Sequence, residues 1–161
     1  MAAAAPQLLG EGAGYDALFT PTVAPCPATF ALDYQAGDAK RRLPARAHFL
    51  LDGPAELFQT STYTNWHPTL TPLLLVRQRA AAATFITVLE AGAPALPVAA
   101  MARLPLTLAG QPLPPALGLA VKVTLTDGRR FLVIDSDADL AGQRQAEGVT
   151  TDQSLWVGQL P

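Results

Sequence analysis

The sequence predicts an all-β protein, an antiparallel β-sandwich. Three observations carry this. Short runs of β-branched, aromatic and aliphatic residues recur along the chain, with Pro- and Gly-rich connections between them. No segment sustains the 3.6-residue periodicity of an amphipathic helix. The stretch Leu119 to Asp135 reads as a hairpin around Asp127-Gly128. At 161 residues the chain fits one domain, large enough to bury a core without disulfides or metals. Residues 1–14, small and Gly-rich, read as a flexible lead-in, and 15–161 as a single sandwich domain.

In order, Tyr15 to Thr20 and Ala28 to Tyr34 are the first β-prone runs. Pro21, Pro25 and Pro27 restrict the segment between them to a connection or a sheet edge, because proline has no N–H to give a ladder. In Arg46 to Asp52, Arg46, His48 and Leu50 alternate with Ala47, Phe49 and Leu51, the period of a strand. Gly53 and Pro54 turn the chain into a strand from Glu56 to Thr60. Leu73 to Arg79 and Ala83 to Glu90 follow, and are expected to pair as a hairpin across Ala80 to Ala83. Four alanines are poor turn chemistry, since none favours a positive φ, so a wider loop is expected there.

Prolines 94, 97, 105, 112, 114 and 115 leave room for one short strand in residues 91–118, over Arg103 to Leu108. In the next hairpin a two-residue turn pairs Thr126 with Arg129, and therefore Val123 with Leu132 and Val121 with Ile134. Val121, Val123, Leu125, Leu132 and Ile134 then share the core face, with Lys122 and Thr124 opposite Phe131 and Val133 on the other. Ser154 to Val157 is the last strand.

Composition narrows function. Only 15% of residues are charged, against about 25% in an average soluble domain, which implies that part of the surface is normally covered. A net charge of −2 gives no electrostatic basis for binding nucleic acid or an anionic membrane. No apolar run reaches the ~18 residues of a spanning helix, and the N-terminus lacks the basic start of a signal peptide. Cys26 is alone, so no internal disulfide forms.

LLLVRQR followed by ATFITVLE, after a loop containing NWHP, resembles the C-terminal β region of the heparinase II/III-like polysaccharide lyases and their oligoalginate lyase relatives. The similarity runs from about Tyr15 to Glu90, and the all-alanine turn departs from it. The resemblance implies a sandwich of the lyase C-terminal, supersandwich-type kind. It also implies a parent reaction of β-elimination at a uronate, and a periplasmic or secreted location. The partners it implies are an acidic polysaccharide and a helical toroid domain or subunit. The chain holds no toroid and no residue that can take the family's catalytic roles, so no catalysis by this chain alone is expected. The alternative is a stand-alone adhesion or interaction module of the fibronectin-like kind.

Tyr63, Asn65, Trp66 and His67 are the first candidate contacts for a glycan, because flat rings and an amide suit a sugar face and its hydroxyls. The competing role is structural, with Trp66 closing the end of the sandwich. Arg77 and Arg79, two apart on one strand face, are candidates for gripping a uronate carboxylate, against the plainer role of a solvated face. Arg41 and Arg42 form a basic loop. Asp135, Asp137 and Asp139 resemble the start of a calcium loop, but Leu140 stands where glycine is needed and Ala146 where glutamate is needed, so a strand-end turn is expected. His48 and His67 are too few for zinc, and no nucleophilic triad is legible, so no cofactor or metal is expected.

Overall fold

A computed structural model describes residues 19–36, 42–63, 70–92 and 97–161. The described chain is an all-β sandwich of antiparallel sheets, as the sequence predicts. Its strands are β1 (Phe19–Cys26), β2 (Thr29–Ala36), β3 (Leu43–Leu51), β4 (Ala55–Tyr63), β5 (Leu70–Arg77), β6 (Phe85–Ala91) and β7 (Val98–Leu104). They continue with β8 (Thr107–Leu108), β9 (Gln111–Pro112), β10 (Gly118–Leu125), β11 (Arg130–Ser136), β12 (Arg144–Ala146), β13 (Val149–Thr151) and β14 (Leu155–Leu160). Contacts gather the chain into two compact units, residues 1–30 with 51–83 and residues 31–50 with 84–161.

The first unit is built on the sheet β1-β4-β5. β1 carries Pro21 and Pro25 and lies at the sheet edge, where a missing N–H costs no ladder bond. The central strand, β4, holds the buried Leu57, Phe58 and Thr60. Cys26 is buried at the end of β1, opposite Ala55, and burial raises its thiol pKa.

The second unit is layered around the sheet β14-β11-β10-β7. On one face Val98, Val121 and Val123 pack with Leu50 of β3 and with Ile86 and Val88 of β6. Across the other face Ala120, Leu132, Ile134 and Leu160 pack with Leu106, Leu113, Ala146 and Val149, which belong to or adjoin the sheet β13-β12-β8-β9. Both faces of β10 are thus buried, and its run GLAVKVTL is nearly continuous in apolar residues.

Three expectations are corrected. LLLVRQR and ATFITVLE do form strands, but β5 pairs with β4 and β6 with β3, in different sheets. The four alanines explain this: with no residue suited to a tight reversal, Gln78 to Thr84 stays irregular and carries the chain out of one sheet into another. Among its described residues, the proline-dense region holds three strands rather than one. Small side chains in β7 fit against β10, Pro105 ends that strand, and Ala109 and Gly110, both at positive φ, turn β8 into β9.

The third correction is a register shift of one residue. Thr126, Asp127 and Gly128 make a three-residue loop: the Gly128 N–H donates to Leu125 O (3.0 Å) and the Leu125 N–H to Arg129 O (2.8 Å). Gly128 has φ 88°, the left-handed position that closes such a loop. Val121 therefore faces Val133, Val123 faces Phe131, and Lys122 faces Leu132. Because side chains alternate, the shift moves Leu132 and Ile134 to the opposite face from Val121 and Val123. Asp127 favours the longer loop by accepting from both the N–H (3.0 Å) and the Nε (2.8 Å) of Arg129.

Candidate functional site

Of the predicted glycan contacts, Tyr63, Arg77 and Arg79 lie within the described residues. Asn65, Trp66 and His67 lie outside the described residues, as does Arg41. Tyr63, at the end of β4, pairs with Leu70 of β5. Arg77 pairs with Glu56, seven register positions away at the far end of the same ribbon, roughly 23 Å at the rise of an extended strand. Tyr63 and Arg77 therefore lie at opposite ends of the β4–β5 ladder.

Arg77 and Arg79 converge on one carboxylate. Arg77 donates from Nε (3.0 Å) and its terminal nitrogen (2.9 Å) to Glu56 Oε2, and Arg79 Nε lies 3.6 Å from the same oxygen. The guanidinium of Arg77 also covers the Phe58 ring, 4.7 Å from its centroid. The bond from Arg77 holds the Glu56 carboxyl below its usual pKa. Arg79 keeps a largely exposed side chain, 78% accessible, and is the group of this cluster open to an incoming anion.

A buried pair lies in the second unit. His48 Nε2 and Glu90 Oε1 are 2.6 Å apart, and Glu90 Oε2 accepts the Val98 N–H at 2.8 Å. One carboxylate thereby joins β3, β6 and β7. Asp33 and Arg46 form an exposed bidentate pair on β2 and β3, and that bond lowers the Asp33 pKa.

Sequence reasoning missed Arg144, whose residue is 2% exposed. Its guanidinium donates to Ser136 Oγ (2.8 Å) and to the carbonyls of Gly142 (2.8 Å), Asp152 (3.0 Å), Asp137 (3.2 Å) and Leu140 (2.7 Å). Every donor of the fork is used without a carboxylate, so oriented peptide dipoles offset the charge. Asp137 Oδ1 accepts the Asp139 N–H (3.0 Å), the strand-end turn expected of that acidic run. Among the described residues no cluster of three His, Cys, Asp or Glu could hold a metal.

An open cleft of ≈ 380 Å³ is walled by Leu104, Pro105, Leu106, Pro112 and Leu113, with Arg103 at its side. Its lining is apolar and lacks the converging polar groups of a reaction centre. Other apolar side chains stand in solvent. Phe85 (48%) and Leu89 (68%) project from the outer face of β6, and Leu155 (59%) and Val157 (62%) from β14. Compared with known proteins, the chain matches no family model, no curated protein and no solved structure.

Proposed function

We propose that this chain is a non-catalytic β-sandwich module of the heparinase II/III-like lyase kind, serving as a scaffold that docks on a helical toroid and contacts an acidic polysaccharide. The observation that carries the scaffold role is the outer face of β6. In FITVLEA, Ile86 and Val88 point into the core while Phe85 and Leu89 project outward, so a strand apolar on both faces leaves one face uncovered. The low charge content of the chain supports the same reading.

The glycan contact rests on the family resemblance and on Arg79, which extends from the Glu56–Arg77 pair into solvent. A uronate carboxylate would compete with Glu56 for this fork geometry. Isothermal titration with mannuronate and glucuronate oligomers tests the contact. Saturable heat is expected, weakened roughly fivefold, about 1 kcal/mol, in the R77A/R79A double variant. The absorbance of an unsaturated uronate should not grow. Absence of heat with every oligomer, or growth of that absorbance, overturns the proposal.

A further inference from the structure

We infer that β14 is a self-association edge, along which a second copy of this chain adds its own β14 antiparallel to form one continuous sheet. The six residues LWVGQL contain no charge and no proline. Among the described residues, every other edge strand of comparable length carries one: Pro21 and Pro25 in β1, Pro72 and Arg77 in β5, Asp33 in β2, Glu90 in β6 and Arg103 in β7. Such residues are the usual protection against edge-to-edge pairing, and β14 alone lacks them.

The side chains fit the same partner. Val121, Val133 and Val157 form one row across β10, β11 and β14, with Leu119, Asp135 and Leu155 in the next. Packing from β3 and β6 covers the β10 end of that face, where Val121 is 3% exposed. Val157 at the β14 end is 62% exposed. The sheet's core face thus runs out into solvent at this edge. A two-fold axis normal to the sheet keeps like faces together when Val157 lies opposite its own copy, which sets Leu155 opposite Gln159.

Charge selects a second copy over an unrelated chain. The start of β14 lies beside four exposed aspartates, Asp135, Asp137, Asp139 and Asp152. Beside its end is Arg130, which pairs with Leu160 and whose guanidinium donates to the Pro161 carbonyl, while the charge of Arg129 is met by Asp127. Antiparallel self-pairing lays the acidic end of each copy along the basic end of the other, twice per dimer. Arg130 would lie two strand spacings, about 10 Å, from the line of the partner's β14, within reach of its Asp152.

Sedimentation velocity from micromolar to near-millimolar protein tests this. A species of twice the chain mass is expected to grow with concentration and to weaken in high salt. V157K should leave a monomer with an unchanged circular dichroism spectrum. R130E and D152R should each weaken the dimer about tenfold, and the R130E/D152R double variant should restore it, because the exchange re-creates both attractions. A monomer at every concentration, a dimer indifferent to V157K, or a double variant no better than either single one overturns the inference.

Discussion

The β10–β11 hairpin and the segment that follows it, residues 137–154, are both held by short-range contacts, but by different means. The hairpin is a ladder whose strength comes from alternating side chains on two buried faces. The segment contains only the three-residue strands β12 and β13, and its loops are gathered around one guanidinium. Where periodicity is long enough, hydrophobic burial specifies the backbone. Where it is not, a single polar group that answers many carbonyls can do so.

The largest effect should come from breaking the second device. R144M removes five charge-assisted bonds and strands buried acceptors, and should lower stability by about 4 kcal/mol in denaturant unfolding. R144K should recover only a minority of that loss, since one ammonium cannot span the same four carbonyls. Recovery to near wild type would show that charge, not fork geometry, organises the segment.

The hairpin register gives a smaller effect. Ile134 is fully buried, whereas Val133, on the opposite face, is half-buried. I134A should cost about 3 kcal/mol and V133A about 1 kcal/mol or less. Equal costs would contradict the register.

The smallest effect concerns surface charge. Asp33, Glu56 and Asp127 all have lowered pKa values, caused chiefly by bonds from Arg46, Arg77 and Arg129. A carboxyl depressed in the folded state stabilises above its unfolded pKa, and that contribution is lost as pH falls through the folded value. Thermal midpoints should therefore be flat from neutral pH down to about 5 and decline below about 4, and D33N should reduce the decline.

These two regions also show how much the sequence could reveal. Strand positions were legible because alternation needs only local residues: Arg46 to Asp52, Glu56 to Thr60 and Ser154 to Val157 all lie in or overlap observed strands. Pairing was less legible. Asp127-Gly128 identifies a turn, but whether the loop holds two residues or three depends on hydrogen bonds from Asp127 and Leu125 that the dipeptide does not encode. The partners of β5 and β6 depend on connections that Ala80 to Ala83 leave unspecified. Arg144 was invisible because backbone carbonyls have no sequence signature. Of the predicted site, the pairing of Arg77 and Arg79 with one acid could not be anticipated, since Glu56 meets them only through the β4–β5 ladder.

Cys26 has a practical consequence of its own. It is the only thiol of the chain, it sits in the first unit, and it is sealed in and shifted away from its reactive thiolate form. A thiol-reactive dye will thus modify the protein only when β1 lifts off β4, so the labelling rate clocks the opening of that unit alone. Trp156 reports from the second unit, its ring lying where a side chain on Gly158 would otherwise be. With Trp66 replaced by Phe, so that Trp156 is the sole tryptophan, one covalent and one optical probe allow the two halves to be timed separately in a single sample.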